Sequence, residues 1–131
     1  MKILLDTHFV IKLLDEVRYD LSEPDPLEIA LREFEVFASV VNLWEADIKY
    51  RVGKLPLRNG VAAWPAMLAR AEIDLLPVTE QHVLADIGPE PPHKDPFDRL
   101  LLCIAAAEDC QLLTNDRMLQ NHPLVWKSTF P

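Results

Sequence analysis

The sequence predicts an α/β fold in three layers, with helices on both faces of a mostly parallel central sheet of four to five strands. Short apolar segments typical of buried strands alternate along the chain with longer segments of helical periodicity. Strands that alternate with helices need crossover connections, which make the sheet parallel. The chain has 131 residues, with no linker or internal repeat, so we expect a single domain over residues 1–131.

The first half of the chain is predicted to contain two strands. In order we expect a strand at residues 2–5, a helix at 7–14, a loop at 22–25, a helix at 26–32, a strand at 36–39 and a helix at about 41–52. Asp25, followed by Pro26, and Ser39 mark helix starts, because their side-chain oxygens can accept from free backbone N–H groups. Gly53 is a residue typical of a helix end.

The helix at residues 41–52 combines an apolar stripe with an acidic residue. The stripe has the spacing of one helix face, which we expect to be buried, and consists of Val41, Trp44, Ile48 and Val52. Glu45 lies beside it. Either Glu45 is a solvated side chain paired with Lys49 one turn later, or it points into a functional site.

The second half of the chain is predicted to add the remaining strands. We expect a loop at residues 54–59, a helix at 60–72, a strand at 74–78, a helix at about 79–87, a stiff connector at 88–92, a helix from residue 96, a strand at 111–114 and a weaker strand near 124–128. The helix at residues 60–72 tolerates Pro65 only in its first turn, because proline lacks the N–H that later turns need.

Two acids open the helix that begins at residue 96. Asp95 followed by Pro96 is a typical helix start, and Asp98 lies in the first turn, where the helix dipole stabilises an anion by roughly 0.3–1 kcal/mol. The next residues, 100–107, are apolar around the whole circumference, as in a helix packed on more than one side. An acid at the start of such a helix can point into a cleft.

The composition excludes several functional classes. The formal net charge is −8, which argues against a nucleic-acid binder that works through bulk positive charge. Cys103 and Cys110 are the only cysteines, and we expect them to be buried thiols on one helix face rather than zinc ligands. No signal peptide or membrane span is evident, so we expect a cytoplasmic protein.

Acidic residues follow the predicted strands at a common edge of the sheet. Asp6 and Asp116 close strands, Glu45 lies in a helix after a strand, and in a parallel sheet these positions meet at one edge. At about 4 Å, two like charges repel by on the order of 4 kcal/mol at an effective dielectric constant near 20. Cations or protons must therefore compensate such a cluster, and all-oxygen ligands suit Mg²⁺ or Mn²⁺.

Four segments carry a resemblance to a known family. They are Leu4-Leu5-Asp6-Thr7-His8, Leu43-Trp44-Glu45-Ala46-Asp47-Ile48-Lys49, His93-Lys94-Asp95-Pro96-Phe97-Asp98-Arg99-Leu100-Leu101 and Leu113-Thr114-Asn115-Asp116. In these segments and their order, the sequence resembles the PIN-domain family, and within it the ribonuclease toxins of VapBC-type toxin–antitoxin pairs. The third segment is the most specific of the four.

The resemblance implies a PIN-like α/β/α endoribonuclease that uses Mg²⁺ or Mn²⁺. It implies that the catalytic and metal-binding acids are Asp6, Glu45, Asp98 and Asp116, with Thr114 and Arg99 in supporting roles. Asp95 is the alternative third acid. We favour Asp98, because its interval to Asp116 fits the family spacing and because helix capping accounts for Asp95. The resemblance also implies a cognate VapB-like antitoxin and a homodimer.

A different class of function also fits these residues, namely a catalytically silent PIN-like module that binds RNA or protein.

Other side chains have structural interpretations of their own. Arg99 is expected to pair with Asp95 or Glu45, and Trp44 and Trp64 are expected to be core or interface aromatics. His93 could bond an acid or a phosphate, although a histidine before a capped helix is more often structural or solvated.

Overall fold

A parallel sheet forms the centre of the computed structural model, which describes residues 1–15 and 25–127. The strands are β1 (Lys2–Leu5), β2 (Glu35–Ser39), β3 (Asp74–Leu76) and β4 (Gln111–Leu113). The helices are α1 (Thr7–Leu14), α2 (Pro26–Glu33), α3 (Val40–Arg51), α4 (Trp64–Arg70), α5 (Glu80–Val83) and α6 (Pro96–Ala107), with 3₁₀ turns at Val61–Ala63 and Arg117–Leu119.

The strand order is β3-β2-β1-β4, and all three pairings are parallel. Leu4 at the centre of β1 lies opposite Phe37 of β2 on one side and Leu112 of β4 on the other. Among the described residues the predicted fifth strand is reduced to one isolated bridge between Val125 and Leu112. Residue 128 of that predicted strand, and residues 22–24 of the predicted loop, lie outside the described residues.

Helices cover both faces of the sheet, which confirms the three-layer α/β/α fold. Side chains of a strand alternate between faces, so Ile3 and Leu5 face one core while Leu4 faces the other. The first core receives side chains of α1, α2 and α4, and the second is filled mainly by α6. Residues 101–105 of α6 are all buried, as expected for its apolar sequence.

Two predicted helices are shorter than expected. The predicted helix at residues 60–72 is a 3₁₀ turn followed by α4, whose first turn contains Pro65 as the sequence requires. The predicted helix at about residues 79–87 ends at Val83. Beyond it Leu84 is 82% exposed, and the Asp86 carboxylate accepts a hydrogen bond from Gly88 N, so the chain turns toward the proline-rich connector.

The predicted buried face of α3 is wrong. Val41 is buried, but Trp44 is 56% and Val52 62% exposed, while Asn42 and Glu45 are buried. The reason is a polar contact: the buried Asn42 amide donates to Leu5 O at 3.2 Å and to Thr7 Oγ1 at 3.1 Å, which ties this face of α3 to the end of β1. Of the predicted stripe, Trp44, Ile48 and Val52 therefore face outward, and only Val41 is buried.

Both cysteines are buried free thiols. Only Cys103 belongs to a helix, because α6 ends at Ala107 and Cys110 lies just before β4, so the expectation of a shared helix face was wrong. Burial raises the pKa of Cys110 to about 11. Among the described helices none has the length and apolar character needed to cross a membrane.

Candidate metal centre

The carboxyl edge of the sheet brings together acids from four parts of the chain. Asp6 follows β1 and donates its backbone N–H to Leu113 O at the end of β4, so Asp6 and Asp116 emerge from adjacent strands. Glu45 comes from α3 and Asp98 from the first turn of α6. The charges of the other three, and of Asp95, all act on Asp98, although Asp6 and Glu45 are not among the possible ligand atoms that lie within 4.8 Å of one another.

Asp6 is held in a fixed orientation at the bottom of this cluster. It is 6% exposed, and its Oδ1 caps α1 by accepting from Phe9 N at 3.1 Å. The Thr114 hydroxyl also stabilises the charged form of its carboxylate. Burial raises the pKa of Asp6, and the charge of Glu45 adds to the increase, while hydrogen bonds from Thr114 and Phe9 oppose it.

Asp116 is oriented by donors on both of its oxygens. Its backbone N–H donates to Thr114 Oγ1 at 3.1 Å, and its Oδ1 accepts from Met118 N at 2.9 Å. Its Oδ2 lies 2.9 Å from His93 Nε2. Although burial acts in the opposite direction, the hydrogen bonds from Met118 and His93 lower the pKa of Asp116.

Glu45 is paired with Lys49, but it is not solvated. The carboxylate is buried, and its Oε2 accepts a hydrogen bond from Lys49 Nζ. Partial burial acts to lower the pKa of Lys49, whereas the bond to Glu45 and the charges of Asp95 and Asp98 raise it. Lys49 therefore contributes a fixed positive charge at the margin of the acidic cluster.

Asp95 and Asp98 have different environments. Asp95 Oδ1 accepts from Phe97 N at 2.9 Å and from Asp98 N at 3.2 Å, which is the predicted helix cap. Asp98 is not used as a cap. Burial and the surrounding charges of Asp95, Glu45, Asp116 and Asp6 raise the pKa of Asp98 to about 7. Asp98 is thus the acid whose pKa is raised both by burial and by the neighbouring negative charges.

His93 lies between two of the acids. Its Nε2 is 2.9 Å from Asp116 Oδ2 and 3.3 Å from Asp98 Oδ2, and its Nδ1 accepts from Asp95 N at 3.3 Å. From the sequence, His93 could be described only as a residue that precedes a capped helix. The structure places its imidazole inside the cluster, which a sequence pattern alone could not distinguish from a solvated loop position.

Asn42 is a residue that sequence reasoning missed. Its side chain accepts from Ser39 N at 2.7 Å while its amide bonds the end of β1. Ser39 and Asn42, three residues apart, form a reciprocal capping box. That spacing after a strand was the signal that could have identified it.

Arg99 does not take the expected partner. Its guanidinium forms two hydrogen bonds with the carboxylate of Glu90, at 2.9 and 2.8 Å, instead of pairing with Asp95 or Glu45. One residue along a helix is a rotation of about 100°, so Arg99 leaves α6 on a different side from Asp98. The proline-rich connector then supplies the partner.

Trp64 is a core residue, while Trp44 packs edge-on against Phe97, with ring centroids 5.1 Å apart.

The chemistry of the cluster fits a divalent cation. Its donors are carboxylate oxygens, the ligand type that Mg²⁺ and Mn²⁺ prefer. Lys49 is close to Glu45 but is one cation among several acids, and burial together with the neighbouring carboxylates raises the pKa of Asp98. The closest triad of possible ligand atoms among the described residues, within 4.8 Å of one another, joins His93, Asp98 and Asp116.

Comparisons with known proteins concern the family and the fold. The family model of the PIN domain matches residues 3–123. The fold is similar to VapBC2 from Rickettsia felis bound to a DNA fragment from the promoter, with a TM-score of 0.62, 17% identity, and coverage of 95% of this chain and 96% of that chain. It is also similar to a toxin–antitoxin complex from Klebsiella pneumoniae, with a TM-score of 0.59, 15% identity and the same coverage. No curated protein matches the sequence.

Proposed function

The chain belongs to the PIN-domain family, and from this premise we propose that it is a metal-dependent endoribonuclease acting as the toxin of a type II toxin–antitoxin pair. PIN domains are generally nucleases. The observation that carries the proposal is the position of Asp98, whose carboxylate interacts with those of Asp6, Glu45 and Asp116 at one edge of the sheet. A phosphodiester is itself an anion. A concentration of carboxylates can therefore promote its cleavage only if cations bind between them.

The residues that would hold Mg²⁺ or Mn²⁺ are Asp6, Glu45, Asp98 and Asp116. A divalent cation at this site would neutralise charge on the phosphodiester and increase the acidity of the attacking water. The protein contributes orientation: Thr114 and the first turn of α1 hold Asp6, and Met118 and His93 hold Asp116. Asp95 caps α6, so we assign the third metal-binding position to Asp98.

The proposed RNA substrate fits the charge of the protein only when cations are present. With a net charge of −8 the chain repels a polyanion at long range. Lys49 at the margin of the cluster is 42% exposed and can contact a phosphate. We therefore expect RNA binding, as well as cleavage, to depend on the divalent cation.

We further propose a cognate VapB-like antitoxin, a homodimer and a cytoplasmic location. Support for the antitoxin comes from the two similar folds, both of which occur in toxin–antitoxin complexes. Support for the homodimer comes from the outward face of α3, where Trp44, Ile48 and Val52 are all more than one third exposed. Exposed apolar side chains on one helix face are a feature of protein–protein interfaces.

The test is cleavage of a mixed pool of structured RNAs by the protein free of any partner, with Mg²⁺, with Mn²⁺ and with EDTA. We expect cutting that EDTA abolishes and that Asp6→Asn abolishes without loss of the fold. Circular dichroism of the variant is the control for folding. A well-folded native chain that binds the pool but never cuts it would contradict the nuclease and favour the silent binding module.

A further inference from the structure

The imidazole of His93 has two possible roles beside Asp98 and Asp116. Its Nε2 lies 2.9 and 3.3 Å from their Oδ2 atoms. Ligands about 2.1 Å from an octahedral ion lie about 3.0 Å from their neighbours, so these distances fit a nitrogen ligand of the metal. They fit a hydrogen-bond donor equally well. The other ring nitrogen distinguishes the two roles.

The Nδ1 atom of His93 is a hydrogen-bond acceptor. It accepts from the backbone N–H of Asp95 at 3.3 Å. A neutral imidazole carries one proton, so Nε2 must then be the N–H that faces the acids. Metal-ligating histidines show the opposite polarity, because they donate the second ring N–H to a carboxylate or a carbonyl. The polarity at His93 is that of a donor.

His122 provides an internal comparison with the same local geometry. Its Nδ1 accepts from the backbone N–H two residues later, Leu124 N, at 3.1 Å. Its Nε2 lies 2.7 Å from Pro89 O, a carbonyl oxygen that can only accept, so this nitrogen carries the proton. In His122, a hydrogen bond from the backbone N–H of residue i+2 to Nδ1 thus occurs together with a protonated Nε2, because the acceptor Pro89 O requires a donor.

From this geometry we infer that His93 is a positioning residue, whose Nε2–H donates to Asp116 and holds that carboxylate beside Asp98 for the metal without ligating it. The inference rests on the proposed function, since it concerns the same site. Asp116 Oδ2 retains a free lone pair while it accepts from His93, so the Asp116 carboxylate can bind the metal and His93 at the same time. Asp95 acquires a double role, because its side chain caps α6 and its N–H fixes the His93 ring.

The consequence concerns metal preference. A site whose ligands are all oxygen keeps Mg²⁺ and Mn²⁺ as its natural cations, whereas a nitrogen ligand would shift it toward Zn²⁺ and other transition metals. A carboxylate-orienting partner of this type typically changes metal affinity by about 10–100-fold. The donor role also predicts that another N–H donor of similar reach can replace the imidazole.

The experiment measures Mn²⁺ affinity by calorimetry in the native chain, His93→Ala and His93→Gln, with His122→Gln as the matched control. We expect about tenfold or greater weakening in His93→Ala, affinity within about threefold of native in His93→Gln, and no change in His122→Gln. Pulsed electron paramagnetic resonance of Mn²⁺ bound to the native chain should show no coupling to an imidazole nitrogen. That spectrum needs no variant, so it decides the question even if His93→Ala does not fold.

Three outcomes would overturn the inference: unchanged affinity in His93→Ala, affinity in His93→Gln as low as in His93→Ala, or a clear imidazole nitrogen coupling. The last would make His93 a metal ligand. Each of these presupposes that the native chain binds Mn²⁺. A native chain with no Mn²⁺ affinity would instead contradict the proposed function and the inference together.

Discussion

The hydroxyl of Thr114 accepts a hydrogen bond from Asp116 N at 3.1 Å, and the same hydroxyl lowers the pKa of Asp6. One buried side chain thereby connects the acids that follow β1 and β4. β1 and β4 are neighbours in the sheet. The backbone positions of these two strands therefore determine the separation of Asp6 and Asp116.

We predict that Thr114→Val lowers both stability and cleavage. The change keeps the shape but leaves Asp116 N without its acceptor and removes the hydroxyl that stabilises the Asp6 carboxylate, a loss of about 1–3 kcal/mol in the free energy of unfolding. Urea unfolding and RNA cleavage measure the two effects. Thr114→Ser retains the hydroxyl and serves as the control. Equal cleavage by the valine and serine variants would show that the hydroxyl has no role at the site.

Asp98→Asn is expected to abolish cleavage, while Asp95→Asn retains it. Asparagine caps helices about as well as aspartate, so Asp95→Asn preserves the hydrogen bonds that Asp95 Oδ1 makes to α6. Asp98 has no capping role, and its carboxylate faces the other acids. Cleavage assays with equal amounts of the two variants decide between them. If Asp98→Asn cuts and Asp95→Asn does not, the third position belongs to Asp95.

The metal-free protein is expected to lose stability as the pH rises from about 5 to about 8. Burial and neighbouring acids raise the pKa of Asp98 to about 7 from 3.8. Between these values the folded state holds a proton that the unfolded state has released, so the free energy of unfolding falls with increasing pH. Thermal unfolding in EDTA across this range measures the slope.

Asp98→Asn is the control for this pH dependence. It removes the titrating group, so we expect a flatter profile and a higher unfolding temperature than native at pH 8. Asp116 has a lowered pKa, and its opposite contribution is complete below this range. A native profile that rises between pH 5 and 8 would show that Asp98 is not the group under repulsion.

Ile48→Glu is expected to yield a monomer if the exposed stripe of α3 is the dimer interface. Ile48 is 37% exposed on that stripe, and Leu31 on a different helix, α2, is 38% exposed. A buried charge at an interface costs far more than the same charge in water, so only the first substitution should dissociate the dimer. Light scattering after size-exclusion chromatography of Ile48→Glu and Leu31→Glu tests this. A native chain that is monomeric at high concentration would contradict the homodimer directly.

The sequence was sufficient for features that depend on near neighbours along the chain. The strands at residues 2–5 and 111–113, the caps at Asp25, Ser39 and Asp95, and the break at Gly53 follow from periodicity and from backbone hydrogen-bonding needs. The parallel sheet follows from the alternation of strands and helices. The four acids were selected from their positions near strand ends and helix starts and from family resemblance, and their role as metal ligands stays a prediction.

Only the tertiary structure decided which way individual side chains face. The apolar period of α3 predicted a buried stripe, but the bonds of Asn42 to the end of β1 rotate that stripe outward and Glu45 inward. Arg99 pairs with Glu90 because the connector passes within its reach, and His93 bridges Asp98 and Asp116 because β4 ends beside α6. Asn42 and Leu5, and His93 and Asp116, are far apart in sequence, so no local pattern specifies them. The pairing of Arg99 with Glu90 depends on the path of the connector, which periodicity does not specify.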